Sequence, residues 1–289
     1  MFIGRVCVIC AGSGKPLSKS YVHARLARCR KCKMIYAPEI PDFEGLSTHY
    51  ALYDRNVEVS PLTIDVYRTW VTNWRDRGAA SHLDFGCGRG ALVSYVNSTG
   101  LKSIGCELDK EIVSKLQSKN INVMETDEVL KSNLTFDVIT LIEVIEHVSN
   151  PKETLEALAR KMNPGGILLI TTPNFNSLNR RILRGNWQIF SFPEHLNLFQ
   201  KTTMKRLLLD CGFTIELIRT NGFAINAGNS HTPKNNSLQQ ILMIDNQRRF
   251  FSRNIFTRSL KRIINSFLNI MSMGDTLVVQ IRLSVSTTN

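Results

Sequence analysis

Acidic residues are scarce in this 289-residue chain: 24 Asp and Glu face 36 Lys and Arg, a formal charge of +12. Long apolar runs are missing too. None reaches the ~18–20 residues that a membrane-spanning helix needs. The opening decapeptide MFIGRVCVIC is too short and too interrupted for a secretory signal, so a soluble cytoplasmic protein is the expectation. With hydrophobic residues at 43% and charged ones at 21%, composition argues against wholesale disorder. At ~100–200 residues per domain, the length suits one large domain with appendages, and a chain this long needs no disulfides to fold.

The basic excess is uneven. Residues 1–41 hold eight Lys and Arg against one acid, Glu39, and residues 231–289 hold eight against two, Asp245 and Asp275. The stretch between is close to neutral. The chain therefore divides into an N-terminal module (1–41), a central body (42–230) and a C-terminal extension (231–289).

Four of the seven cysteines lie in the first module as Cys7-x2-Cys10 and Cys29-x2-Cys32. Two CxxC turns at this separation can aim four sulfurs at one tetrahedral ion, which predicts a structural Zn²⁺ site in a ribbon-like module. The ion would supply folding energy that so small a core lacks. Lys15, Lys19, Arg28, Arg30, Lys31 and Lys33 would offset the thiolate charge, and free or redox-active thiols are the alternative. Cys87, Cys106 and Cys211 have no such pairing and read as small buried hydrophobes. A basic ribbon can also touch nucleic acid.

In the central body short apolar runs alternate with helical patterns. Strands are expected at Ser81–Phe85, Ser103–Cys106, Ile121–Met124, Phe136–Ile142 and Ile167–Thr171. Helices are expected over Pro61–Arg77, Ala91–Ser98, Asp109–Lys119 and Pro151–Met162, the last stopped by Asn163-Pro164-Gly165-Gly166. This order predicts a doubly wound α/β fold around a parallel sheet, with its ligand at the carboxyl ends of the strands. The first strand runs into Gly86-Cys87-Gly88-Arg89-Gly90. The spacing is GxGxG, not the GxGxxG of dinucleotide sites. Asp84 just before it would repel a pyrophosphate and suits a cationic ligand, while Glu107, ending the second strand, can accept two hydrogen bonds from ribose hydroxyls.

With these residues the chain resembles the class I S-adenosylmethionine-dependent methyltransferases. The likeness runs on through Phe136-Asp137-Val138-Ile139, Ile145-Glu146-His147-Val148 and Pro164-Gly165-Gly166, and covers roughly 45–222 and 275–283. It implies a Rossmann-like seven-stranded sheet whose last strand inserts antiparallel. It implies that Asp84, Gly86, Gly88 and Gly90 hold the methionine end of S-adenosylmethionine and that Glu107 holds the ribose. Asp127 would sit near the adenine, with Glu128 competing, and Glu143 would face the methionine moiety. Thr171-Thr172-Pro173-Asn174, Trp187 and Phe192-Pro193-Glu194-His195-Leu196-Asn197-Leu198-Phe199 are similar to ubiquinone-pathway O-methyltransferases and to bacterial sugar and polysaccharide methyltransferases. Members of the sugar group carry an N-terminal two-knuckle zinc module, joined to the core by a segment like His49-Tyr50-Ala51-Leu52-Tyr53; Cys32-x3-Tyr36-x-Pro38 belongs to the same match.

The expected reaction is methyl transfer to a small molecule: a sugar, nucleotide-sugar or glycan, with a quinone precursor as a close variant. His195 is the expected base, with Glu194 orienting it or acting itself; the alternative is that both residues only shape a structural corner. Glu143, Glu146 and His147 either shape the cofactor pocket or hold a divalent cation. An RNA methyltransferase and a non-catalytic ligand-binding module are the rivals. The Asn/Asp-Pro-Pro-aromatic run of amino-methylating nucleic-acid enzymes is replaced here by Ile142-Glu143-Val144-Ile145, which argues against a nucleic-acid partner. In the extension, 229–236 read as a linker and Leu238–Met271 as a basic amphipathic helix, a lid on the core or a peripheral membrane contact through 238–272. Gly274-Asp275 then turns into a final strand, Thr276–Leu283.

Overall fold

The computed structural model describes residues 2–41, 60–222 and 255–283. The segment 49–53 and residues 229–254, which cover the expected linker and the first part of the expected C-terminal helix, lie outside the described residues.

The N-terminal module is built from five short strands: β1 (Phe2–Gly4), β2 (Gly14–Pro16), β3 (Ala27–Cys29), β4 (Ile35–Tyr36) and β5 (Glu39–Pro41). β1 pairs antiparallel with β5, and β2, β3 and β4 form an antiparallel sheet. Ala11 and Lys33, each one residue beyond a CxxC turn, have left-handed backbones (φ 51° and 68°), which fold the two turns back toward each other.

The central body opens with α1 (Pro61–Asp76), started by Pro61 and capped by the Ser60 hydroxyl, which accepts from the Thr63 amide. Val71 and Trp74 are its buried face. Strands and helices then alternate: β6 (Ser81–Phe85), α2 (Ala91–Ser98), β7 (Lys102–Glu107), α3 (Lys110–Gln117), β8 (Val123–Glu125), α4 (Thr126–Lys131), β9 (Phe136–Ile142), α5 (Pro151–Ala159) and β10 (Met162–Pro173). They continue with α6 (Leu178–Leu183), β11 (Asn197–Leu198), α7 (Lys201–Asp210), β12 (Phe213–Asn221), α8 (Ile255–Ile270) and β13 (Thr276–Leu283). The seven-stranded sheet has the order β12-β13-β10-β9-β6-β7-β8. The strands from β6 to β10 run parallel, and β13 is antiparallel to both its neighbours. β9 and β10 sit at the centre of this sheet, and Val138, Ile139, Leu141, Leu168 and Ile170 are fully buried, which is why both read as continuous apolar runs.

Three local features differ from the sequence expectation. α5 ends at Ala159, and Asn163-Pro164-Gly165-Gly166 lies inside β10 instead of in a turn before it. Pairing resumes at once, since the Phe136 amide donates to Lys161 O, and the four residues form an irregularity between Met162 and Ile167. The Asn163 amide anchors it on Asp137 Oδ1 at 2.7 Å. α4 was not expected; Glu125 and Glu128 start it with a reciprocal capping box. The two-residue strand β11 pairs with β4 and thereby adds an edge from the central body to the N-terminal sheet.

In α8 only Leu268 is buried, while Ile263, Phe267, Ile270 and Met271 are exposed among the described residues. No described helix is long and apolar enough to cross a membrane.

Candidate active site

The turn after β6 carries the glycine loop. The Gly86 and Cys87 amides both donate to Cys106 O at 2.9 Å, tying the loop to β7. A Cβ on Gly86 would lie 2.7 Å from Val144, so the glycine permits the loop to approach the segment after β9. At Gly88, with φ +53°, a Cβ would point into open space beside the loop. The Gly88 amide donates to Glu107 Oε2 at 3.0 Å, and Glu107 Oε1 accepts from the Leu108 amide.

Asp84 is buried, and its carboxyl is pushed up to about 6 by desolvation and by the charge of Glu107, against a bond from Thr140. A polar chain lies behind it. Thr140 has one hydroxyl proton and gives it to Asp84 Oδ1 at 2.6 Å. Its oxygen must therefore accept from His82 Nε2, 3.0 Å away, which leaves His82 Nδ1 to accept from the Ser103 hydroxyl at 2.8 Å. Burial holds His82 neutral, with its pKa pushed down to about 3, and the ring stacks on Trp74 at 5.1 Å. His82 and Thr140 were not singled out from the sequence; a histidine and a threonine at the centre of apolar strands are the signal that could have found them.

A buried carboxylate beside a second acid, with no cationic side chain paired to it among the described residues, calls for a positive ligand. The donor set and the open space over Gly88 fit S-adenosylmethionine. Asp127 lies in the first turn of α4, exposed, with Lys131 3.5 Å away, and Glu128 caps the Glu125 amide.

On the other side of the strand ends, Glu143 follows β9 with a left-handed backbone (φ 54°), rare for a residue with a long side chain. It keeps accessible surface while surrounding atoms push its carboxyl up, as expected for a side chain lining a cleft. Glu146 is fully buried; its Oε2 accepts from Thr172 Oγ1 at 2.9 Å, and desolvation and the charge of Glu143 hold its carboxyl well above the usual range. Oε1 makes no hydrogen bond and lies 3.9 Å from His147 Nε2.

The rings of His147 and His195 are 4.7 Å apart. His147 Nδ1 is 2.9 Å from Glu194 O, and His195 Nδ1 is 2.6 Å from Ile189 O. A carbonyl only accepts, so each imidazole donates from Nδ1 to its carbonyl. Burial and the neighbouring ring push His147 down to about 4. The ligand atoms of Glu146, His147 and His195 all lie within 4.8 Å of one another. The Glu194 carboxylate accepts through Oε2 from the Ser191 hydroxyl at 2.5 Å, and its backbone carbonyl accepts from His147 Nδ1.

The sequence profile described as "Methyltransferase domain" matches residues 54–218, more than half of the chain. The chain belongs to this family, the class I S-adenosylmethionine-dependent methyltransferases. It is similar to the ubiquinone biosynthesis O-methyltransferase of Pseudomonas fluorescens strain Pf-5, with 32% identity over 152 residues, covering 48% of this chain and 63% of that protein. The protein of that name from Dechloromonas aromatica is 30% identical over 130 residues, 41% of this chain and 53% of that one. The chain thus spans less than two thirds of these relatives. A solved methyltransferase from Archaeoglobus fulgidus aligns with 83% of this chain and 99% of its own at a TM-score of 0.49 and 19% identity.

In this family member the His195 side of the strand ends is clasped by the N-terminal module. Arg5 donates through Nε to Ala37 O, through one terminal nitrogen to Ser149 O at 2.8 Å, and through the other to Leu196 O at 2.6 Å and Asn197 Oδ1 at 3.2 Å. The Glu146 carbonyl accepts from the Leu196 and Asn197 amides, and Asn197 Nδ2 donates to Val148 O. Leu26, Ile35 and Ala37 of the module share one apolar cluster with Phe175, Trp187, Leu196 and Leu198. The loop carrying His195 therefore rests on the module.

The four module cysteines converge. Cys7 and Cys32 sulfurs are 3.4 Å apart, Cys10 and Cys29 sulfurs 3.5 Å, and all four lie within 4.8 Å of one another. These separations are too long for a disulfide and close to the ~3.8 Å edge of a tetrahedron with Zn–S bonds of ~2.3 Å.

Proposed function

We propose that this chain is an S-adenosylmethionine-dependent O-methyltransferase acting on a small molecule, with a sugar, nucleotide-sugar or glycan preferred over a quinone precursor. One observation carries the reading. The desolvated Asp84 carboxyl, with Glu107 beside it and no cationic side chain paired to it among the described residues, lies next to an open glycine turn, and across the strand ends stand two imidazoles, each with its Nδ1 held by a backbone carbonyl. The family implies S-adenosylmethionine as cofactor, and when bound it supplies an electrophilic methyl group on a sulfonium.

In this reading Asp84 and Glu143 compensate the cationic methionine end, and Glu107 accepts from the ribose. Asp127 belongs to the adenine side at the start of α4. His195 Nε2 takes the proton of the acceptor hydroxyl, and the Ile189 carbonyl holds the ring in the tautomer that can do so. Glu194 supports the site through its backbone. The preference for sugars over quinones rests on the four-cysteine module, in which Cys7, Cys10, Cys29 and Cys32 would hold a structural Zn²⁺.

Calorimetry with S-adenosylmethionine tests the reading: wild type should bind, and Asp84→Asn should bind at least tenfold more weakly. No binding by wild type would overturn it. Metal analysis should return one zinc per chain, lost in Cys29→Ser.

A second reading is favoured by Glu146 Oε1, without a hydrogen bond among the described residues and close to His147 and His195: the three residues hold a divalent cation that lowers the pKa of the acceptor hydroxyl. Chelation would then abolish turnover and added Mg²⁺ or Zn²⁺ restore it; turnover indifferent to chelation discards this reading.

A further inference from the structure

Two guanidiniums lie over one ring just past the carboxyl end of β10, and a third stands beside them. The Arg180 Cζ lies 4.6 Å from the Phe175 centroid and the Arg28 Cζ 5.9 Å from it. Arg181 neighbours Arg180 on α6 and donates to Asn176 Oδ1. Arg180 is steadied by its Nε bond to Phe175 O at 2.8 Å and by a side-chain bond to Tyr21, while burial and, less, the charges of Arg181 and Arg28 make its own charge costlier.

No carboxylate among the described residues comes within ion-pair distance of the three. The Arg28 guanidinium is exposed and meets no hydrogen-bond acceptor there. Like charges held together over a buried ring with no counter-ion among the described residues call for an anion, and the guanidinium fork fits phosphate oxygens two at a time.

The place matters as much as the charge. The Phe190 ring is 6.4 Å from Phe175, and its neighbour Ile189 supplies the carbonyl that holds His195. An anion at Phe175 is thus one aromatic layer from that imidazole. Arg28 comes from the N-terminal module and the other two from the central body, so the cluster exists only when the two are docked.

We propose that Arg28, Arg180 and Arg181 form a subsite for a phosphate or diphosphate group on the methyl acceptor. This rests on the small-molecule methyltransferase reading and narrows its acceptor to a phosphorylated molecule, either a simple phosphate ester or a nucleotide-linked one.

The test is calorimetry on the full-length protein with inorganic pyrophosphate at fixed ionic strength. Wild type should bind at one site. Arg28→Ala and Arg181→Ala, judged only with a wild-type melting temperature, should each weaken binding about tenfold, and Arg180→Lys, which keeps the charge and loses the fork, less. Lys115→Ala, on the exposed face of α3, should bind as wild type does. A wild type that binds S-adenosylmethionine but no pyrophosphate overturns the subsite and leaves the enzyme reading intact. One that binds pyrophosphate but no S-adenosylmethionine keeps the anion site and sinks the methyltransferase reading. Weakening by Lys115→Ala equal to that by Arg28→Ala, or capture by anionic phosphatidylglycerol vesicles in place of pyrophosphate, also overturns the subsite. Uridine diphosphate in place of pyrophosphate separates the sources: tighter binding marks a nucleotide-linked acceptor, equal binding a simple ester.

Discussion

The two halves of the site are made in different ways. The proposed cofactor side comes from one contiguous stretch, β6 to β7, in which Asp84, the glycine loop and Glu107 follow each other within 24 residues and lean on their own sheet. The proposed acceptor side is assembled from remote pieces: the module at 1–41, the Glu143–Ser149 loop and the segment from Phe175 to Phe199. A side built locally is robust to what happens elsewhere. A side built from three segments depends on the contacts that hold them together, which lets acceptor chemistry vary while cofactor binding stays fixed.

Substitutions in each half should break or sharpen this contrast. The largest effect is expected at His195. His195→Asn removes the proposed base and should cost about 10²–10⁴-fold in kcat while S-adenosylmethionine still binds, measured by single-turnover assay beside calorimetry. Loss of cofactor binding as well would show the halves to be coupled.

Next is Arg5→Ala. It removes the bonds to the carbonyls of Ala37, Ser149 and Leu196, of which Leu196 O keeps the Ala37 amide, and should destabilise the chain by about 1–3 kcal/mol. Hydrogen exchange should rise at 196–198 and stay unchanged at 83–107. Uniform exchange along the chain would mean that the two halves open together.

Thr140→Val removes the bond to Asp84 and the acceptor for His82, and should cost about 1–3 kcal/mol. Denaturant titration reads this, and acceptor affinity should not move.

The mildest test is pH. Cofactor binding favours the ionised form of Asp84, whose carboxyl sits at about 6. Affinity should be full above pH 6 and fall as pH drops through it, with a proton released on binding in that range. For stability without ligand the sign reverses. A folded pKa above the ordinary 3.8 means that ionising Asp84 costs the folded state stability as pH rises from about 4 to 6.

Legibility in the sequence follows the same division. β9 and α2 match their expected bounds because each is decided by neighbours in the chain: an unbroken apolar run for one, a helical pattern after the glycine loop for the other. The Asn163–Gly166 irregularity was not legible, because Asp137 on the neighbouring strand anchors it. Nor was β11, two residues long, which becomes a strand only because β4 lies beside it. In the site, Asp84 and Glu107 declare themselves by spacing. His147 and His195 are 48 positions apart, and nothing local announces that their rings meet. Glu194 reads from sequence as a side chain that orients His195 or acts itself; that its backbone carbonyl meets His147, and that the Ile189 carbonyl meets His195, are contacts between segments that no local pattern announces.

The Arg5 clasp also bears on how the chain is made. Its acceptors at Ser149 and Leu196 lie 144 and 191 residues downstream. At ~5–20 residues per second on the ribosome, the module emerges roughly 8–30 s before the segment that completes it. Throughout that interval β4 is the open edge of a small sheet, a template for the wrong partner. Nascent chains stalled before Asn197 carry that edge bare, so the interval between the first tenth of the protein and its two-thirds point is its most aggregation-prone stage.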